Sequence, residues 1–277
     1  MAVRVEPGAG YEKYINGEFL RGGLRFEDLH KRYAASQFGL HHDGQPARYS
    51  QDYGYDRSMM IEDLGDDVHP VRHMSHTESQ LARPLMVVQN AAGDERFDPR
   101  QIIAVRMAAL LHDTGECEHP LIRDSVGHTV GDISWELKAL ADGDKENLIR
   151  QYLYGQLYPD VPADLLNEAD DVIDHKEGSL PREAFNTVER LGYYTTAIRA
   201  GETALRLLES RAAGEPNQRI VQLGRLALRV SNNHRGFLQE RSERFPYLEE
   251  VLKTSAPIDD RIQVELPFLR DLAPQAA

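Results

Sequence analysis

Cysteine is almost absent from this chain, which has Cys117 alone among 277 residues. A single cysteine cannot build an internal disulfide framework, so a reducing cytoplasm is the expected compartment. Long apolar runs are lacking too. No stretch approaches the roughly 18–20 unbroken apolar residues of a membrane span, and the first residues lack the apolar run of a signal peptide. We therefore expect no membrane partner.

Basic residues are outnumbered, with 32 Lys and Arg against 45 Asp and Glu and a net charge of −13. A protein that binds nucleic acid needs a basic surface to neutralise phosphates, so we expect no nucleic-acid partner. A small anionic substrate remains compatible with this charge. A bound metal and a few arginines can create a local positive pocket inside an acidic protein.

Strand-like alternation is scarce and appears only weakly at 262–266. From Pro70 onward the apolar spacing is helical instead. Further helices are predicted at 133–141, 147–158, 163–175, 179–208 and 220–238. The sequence therefore predicts an all-α bundle of orthogonally packed helices.

Local signals mark where some helices begin. Ser75 with Glu78 three residues later has the pattern of a capping box. Pro84 is expected to kink that helix near Gln80. Asp98 followed by proline is a second strong helix start.

Residues 1–68 have a different character, with many glycines and scattered tyrosines. We expect an irregular N-terminal arm packed on the main body, with a short helix over Phe26–Tyr33. Residues 69–277 are expected to form one helical domain, with a core at 70–205 and a helical C-terminal extension at 206–277. Whether the chain forms a homodimer stays open.

The most informative motif is His112-Asp113, which stands where an apolar run stops. A helix that delivers an imidazole and a carboxylate to one spot supplies half of a metal site. The stretches around His76 and Glu189 could supply the rest.

The order of His76, then His112-Asp113, then an acid on a late helix resembles the HD-domain metal-dependent phosphohydrolases. The resemblance covers roughly residues 70–205 by pattern. It implies an HD-type orthogonal helical bundle with His76, His112, Asp113 and a late acid, Glu189, as metal ligands. His73, on the neighbouring turn, is a rival to His76.

A narrower resemblance rests on Glu116, three residues after Asp113, and on the downstream Gly131-Asp132-Ile133. This pattern is similar to the subgroup that includes 5′-deoxynucleotidases, which release phosphate from deoxynucleoside monophosphates. It implies that Glu116 is the general base and that Asp132 positions water or the leaving group. If the turn after Asp113 stays helical, Glu116 points to the same side as Asp113.

The chain departs from the subgroup at two places. Glu189 stands where the family has aspartate, and its extra methylene moves the carboxylate by about a bond length against metal–oxygen distances of roughly 2.0–2.2 Å. The stretch 118–130 lengthens the spacing before Gly131-Asp132 and makes Asp124 a rival to Asp132.

Two imidazoles and two carboxylates form a mixed nitrogen and oxygen shell. Such a shell suits Mn²⁺, Co²⁺, Fe²⁺, Ni²⁺ or Mg²⁺, and an open Zn²⁺ site is also compatible. Arg72 and Arg83 flank His76 and are candidates for contacts with a substrate phosphate.

The leading hypothesis is a metal-dependent phosphohydrolase (a phosphomonoesterase similar to nucleotidases) acting on a small phosphorylated substrate such as a nucleotide. A second hypothesis is a di-iron oxygenase on the same scaffold, which would recruit histidines between Asp113 and the late acid; His119, His128 and His175 lie there. A third is a catalytically weakened protein that binds a nucleotide or a partner.

Overall fold

The computed structural model describes residues 25–45, 57–117, 119, 142–174, 178–210 and 217–270. Over these residues the chain is helical and contains no β-strand, which confirms the all-α prediction. The weak alternation at 262–266 does not correspond to a strand, because residues 262–265 belong to a long helix.

The helices follow one another along the chain with short connections between many of them. In chain order they are α1 (Phe26–Ala35), α2 (Gln37–Asp43), α3 (Arg57–Leu64), α4 (Arg72–His76), α5 (Arg83–Ala92), α6 (Pro99–Leu111), α7 (Asp142–Leu157), α8 (Ala163–Asp174), α9 (Leu180–Glu209), α10 (Gln218–Arg241) and α11 (Pro246–Glu265). Tighter 3₁₀ turns occupy Gly65–Val68, His112–Glu116 and Pro267–Arg270, and a wider π-type turn occupies Thr77–Ala82.

The predicted start of α6 is confirmed in detail. The Asp98 side chain accepts the backbone N–H groups of Arg100 and Gln101, and the Gln101 side chain accepts the N–H of Asp98. This reciprocal box satisfies N–H groups that have no partner inside the helix. The helix therefore begins at Pro99, as the sequence predicts.

The capping box predicted at Ser75 is wrong. Helix α4 begins at Arg72, so Ser75 lies inside it, and Glu78 pairs with Arg106 instead. An irregularity does occur at the place predicted from Pro84. The N–H of Arg83 bonds to the carbonyl of Glu78, five residues back, which makes the turn before Pro84 wider than an α-turn.

Helix α6 lies at the centre of the bundle and is buried along most of its surface. On one side it packs with α5, α9 and α11, and on another with α1, α7 and α8. The long helices α9 and α10 pack along each other and bury a second apolar zone with α3 and α11. The central position of α6 follows from its sequence, which is apolar on most faces.

The described parts of the predicted N-terminal arm are helical, which corrects the expectation of irregular structure at 37–43 and 57–68. The short helix predicted at Phe26–Tyr33 is confirmed as α1. Phe26 and Leu29 pack in the same apolar cluster as α6, and Met60 and Leu64 pack against the pair α9 and α10. Burial of these apolar residues outweighs the weak local signals of a glycine-rich segment.

None of the helices in the described ranges combines the length and apolarity needed to cross a bilayer. The predicted helix at 133–141 lies outside the described residues.

Candidate metal centre

The centre begins where α6 ends. After Leu111 the chain tightens into the 3₁₀ turn His112–Glu116, and Thr114 Oγ1 donates to the Leu111 carbonyl at 2.7 Å. Gly115 allows this turn to press against α7, since a Cβ there would lie 2.6 Å from the backbone oxygen of Glu146. The hydrogen bond of Thr114 and the close packing of Gly115 on α7 therefore fix the position of His112-Asp113.

Three buried side chains converge at this turn. The Asp113 carboxylate lies between two imidazoles: its Oδ2 is 2.6 Å from His73 Nε2, and its Oδ1 is 3.2 Å from His112 Nε2. The rings of His73 and His112 are 5.2 Å apart and nearly perpendicular. Among the described residues, these three form the one group whose possible ligand atoms all lie within 4.8 Å of one another.

The other nitrogen of each imidazole contacts a backbone carbonyl. His73 Nδ1 is 2.9 Å from the oxygen of His69, and His112 Nδ1 is 3.0 Å from the oxygen of Ala109. A carbonyl only accepts, so we assign the proton of each neutral ring to Nδ1 and the lone pair to Nε2. Metal-ligating histidines commonly have this arrangement.

The residues present fit a divalent metal ion. His73 Nε2 is buried and has no hydrogen-bond partner within the described part of the chain, although a carboxylate oxygen lies beside it. A buried polar atom without a hydrogen bond is costly, and a cation between the two lone pairs and the carboxylate would remove that cost.

Outer contacts hold the histidines in place. His69 Nδ1 accepts the N–H groups of Val71 and Arg72 at the start of α4, and His69 Nε2 lies 3.0 Å from Asp43 Oδ1. The Phe185 ring on α9 meets the His112 ring edge to face at 5.6 Å. Asp43 of α2 and His69 thus support the start of α4, which carries His73, and Phe185 of α9 packs on His112.

The structure does not bring His76 into this group. The expected histidine is replaced by its rival, His73, because α4 begins at Arg72 and has His73 on its buried side. His76 Nε2 lies instead 2.6 Å from Oδ1 of Asp67.

Glu189, the expected late ligand, is half-buried on α9, one turn after Phe185, and is not a member of the group. Glu116 is exposed at the end of the 3₁₀ turn. Its exposure is compatible with proton exchange but places it outside the ligand cluster.

The remaining predicted residues lie apart from one another. Arg72 is exposed, with Nη1 3.7 Å from Asp66 Oδ1. Arg83 is half-buried near Arg106, whose pKa is lowered mainly by burial and further by the positive charge of Arg83. Asp132 and its rival Asp124 lie outside the described residues.

The sequence predictions did not single out His69 or Asp67. His69 lies before α4 in extended backbone, so helical spacing does not predict that its ring caps this helix. Nothing in the sequence pairs Asp67 with His76, because that contact forms across a turn.

Comparison of the chain with protein-family models, curated proteins and solved structures found no match. The functional assignment therefore rests on the geometry of this centre and on the motif resemblance.

Proposed function

We propose that the chain is a metal-dependent phosphohydrolase that releases phosphate from a nucleotide or a related small phosphate ester. The divalent ion would be held by His73, His112 and Asp113. The observation that supports this most directly is the convergence of the Nε2 atoms of two buried histidines on one buried carboxylate.

The electrostatics of the three residues favour a cation. Two neutral imidazoles that donate through Nδ1 offer only lone pairs at Nε2, and a lone pair does not stabilise a carboxylate beside it. A divalent ion is attracted by all three groups at once. The nitrogen-rich set suits Mn²⁺, Fe²⁺, Co²⁺, Ni²⁺ or Zn²⁺ better than Mg²⁺, which prefers oxygen ligands.

Three protein ligands leave coordination positions for water and substrate, as in catalytic metal sites. A bound divalent ion would lower the pKa of a water molecule and polarise a phosphoryl oxygen. Glu116 lies on the same turn as His112 and Asp113, and its exposed carboxylate would accept a proton from the attacking water. By resemblance, Asp132 would position water or the leaving group, and Glu189 is retained as a candidate for a further ligand.

Phosphate recognition would come from arginine. Arg72 precedes His73 on α4, and Arg83 follows the π-type turn on the same stretch of chain. A guanidinium group presents several N–H donors in a fork that matches phosphate oxygens.

The test begins with protein stripped of metal by a chelator and reloaded anaerobically with single divalent ions. Bound metal is counted, and phosphate release is measured on a panel of nucleoside monophosphates and sugar phosphates. We expect one bound ion and metal-dependent phosphate release. Two bound irons with O₂ consumption would favour the oxygenase, and no stoichiometric metal would favour the binding protein.

A matched pair of variants makes the test specific. Asp113→Asn should lose both the metal and the activity, whereas Asp94→Asn, which changes an exposed acid between α5 and α6, should keep both. Glu116→Gln should keep the metal but lower turnover by roughly 10²–10⁴, the usual contribution of general acid–base catalysis. Full activity of Glu116→Gln under saturating metal would move the base to another residue.

A further inference from the structure

A polar groove of about 400 Å³ runs beside the start of α4. It is lined by one stretch of helix with Arg72, Ser75, His76, Ser79 and Gln80 and by His30 of α1. The acid Asp66 lines it as well, 3.7 Å from Arg72 Nη1. These wall residues carry hydrogen-bond donors on nearly every side chain. The groove therefore suits a polar ligand better than an apolar one, and Arg72 is the residue in it that could contact a phosphate.

His76 is held in this groove by a buried acid. Its Nε2 lies 2.6 Å from Asp67 Oδ1, and the Asp67 side chain is 4% exposed whereas that of His76 is 22% exposed. Asp67 Oδ2 lies 2.9 Å from Nη1 of Arg199, which also donates to the Leu64 carbonyl at 2.7 Å. Both contacts of the carboxylate are at ion-pair distance without hydrogen-bond geometry, and they place it between the Arg199 guanidinium and one ring nitrogen of His76.

The second ring nitrogen of His76, Nδ1, has no hydrogen-bond partner within the described residues. Because Nε2 lies beside the buried carboxylate of Asp67, Nδ1 is the nitrogen that can exchange a proton with a ligand in the groove. In a catalytic triad a buried carboxylate orients a histidine, and the histidine exchanges a proton with the reacting group. Asp67 and His76 have the first two parts of that arrangement.

The groove adjoins the candidate metal centre. His73 and His76 are three residues apart on one stretch of helix, so their Cβ atoms are about 5–6 Å apart. His30, which lines the groove, also lies near the centre, since its Nε2 is 3.0 Å from the carbonyl oxygen of Val71, two residues before His73. The groove and the candidate centre are therefore about one helical turn apart along α4.

We propose that His76 is the proton donor to the leaving group and that Asp67 is its positioning residue. This inference rests on the proposed phosphohydrolase activity. Water oxygen forms a bond to phosphorus, and the bond from phosphorus to the leaving-group oxygen breaks. That oxygen keeps the electron pair and takes the Nδ1 proton of His76, while the proton of the water goes to Glu116. His76 then regains a proton from solvent.

The test uses the dependence on the leaving group. A nitrophenolate leaves as a stable anion and needs little protonation, whereas an alkoxide needs a proton. His76→Gln and Asp67→Asn are assayed, loaded with metal, on p-nitrophenyl phosphate and on the alkyl phosphate monoester that the wild type hydrolyses best. We expect His76→Gln to lose roughly 10²–10⁴ on the alkyl ester and less than about tenfold on the aryl ester.

Asp67→Asn should shift the same ratio in the same direction by a smaller factor, because asparagine keeps the shape but orients the ring less well. The exposed histidine on α2 provides the control, and His41→Gln should leave the ratio unchanged. Metal content and circular dichroism are measured on every variant, and all should match the wild type.

Equal losses on the two esters, or loss of metal from His76→Gln, would overturn the role of His76 while leaving the phosphohydrolase intact. A metal-loaded wild type that hydrolyses neither ester nor any member of the panel would overturn the phosphohydrolase, and the role of His76 with it.

Discussion

At the scale of single residues, three histidines that lie within eight residues of one another each pair with a different carboxylate. His69 lies beside Asp43 and caps α4, His73 lies beside Asp113, and His76 lies beside Asp67. The same pairing of imidazole with carboxylate therefore serves structure in one place, a candidate metal centre in the second and a polar groove in the third. The three histidines differ in what their Nδ1 atoms contact. Nδ1 of His69 accepts backbone N–H groups, Nδ1 of His73 contacts a carbonyl, and His76 is the most exposed of the three.

His73→Gln should lower metal affinity by more than the roughly 10–100-fold that loss of an outer-shell partner costs, because it removes a direct ligand. The measurement is calorimetric titration of metal-stripped protein with Mn²⁺ or Co²⁺. His41→Gln, which changes an exposed histidine, should bind as the wild type does. Unchanged affinity in His73→Gln would remove this residue from the site.

At the scale of elements, the centre depends on how tightly neighbouring helices approach. Helix α6 is tied to the π-type turn by a buried ion pair, in which Arg106 Nε donates to Glu78 Oε1 at 2.6 Å. The Arg106 guanidinium also stacks on the Phe26 ring, 3.8 Å from its centroid. One side chain thus connects α6, α1 and the turn that follows His76.

Glu78→Gln should destabilise the fold by about 3–5 kcal/mol, because it removes the carboxylate charge that lies beside the buried Arg106 guanidinium. Asp164→Asn is the matched control, since Asp164 pairs with another arginine of α6, Arg100, where both side chains are exposed. That variant should cost no more than about 1 kcal/mol. Denaturant unfolding followed by circular dichroism compares the two, and equal losses would contradict a special role for the buried pair.

Two glycines give opposite predictions for the same substitution. Gly115→Ala should destabilise the fold and weaken metal binding, because the new Cβ would force the backbone of Glu146 away. Gly155→Ala, within α7 and with nothing inside 4 Å of the new Cβ, should stabilise by about 0.5–1 kcal/mol through helix propensity. Thermal unfolding and metal titration of both variants test the pair, and a neutral Gly115→Ala would show that the contact yields easily.

At the scale of the whole molecule, buried polar groups join the long helices. Asp259 on α11 is fully buried and accepts hydrogen bonds from Tyr194 of α9 and Ser231 of α10. His234, nearby on α10, stacks on the Tyr193 ring at 5.0 Å. Burial, and secondarily the charge of Arg190, lowers the pKa of His234 to about 4.

Stability should therefore fall as the pH falls from about 6.5 towards 4. In that interval the unfolded chain protonates His234 and the folded chain does not, so acid favours the unfolded state. His234→Gln should reduce the slope by at most about 1.4 kcal/mol per pH unit, the value for one proton. Free energies of unfolding measured with a chelator present test this, with exposed His41→Gln as the control. An unchanged slope in His234→Gln would contradict it.

Much of the fold was predictable from local signals. The start of α6 at Asp98-Pro99, the start of α9 after Ser179 and the irregular turn before Pro84 all depend on neighbours in sequence. The helix at Gln37–Asp43 was harder to predict, since its Phe38 is buried in a cluster with residues of α4 and α7 that lie far along the chain.

The sequence by itself determined that the chain is helical and that His112-Asp113 ends a buried helix. Both follow from apolar periodicity, which acts over a few turns. Tertiary structure alone decided which of His69, His73 and His76 meets Asp113, because all three lie within eight residues and differ only in the face they present. That choice depends on where α4 begins and on what packs against it, and such contacts join residues far apart in the chain.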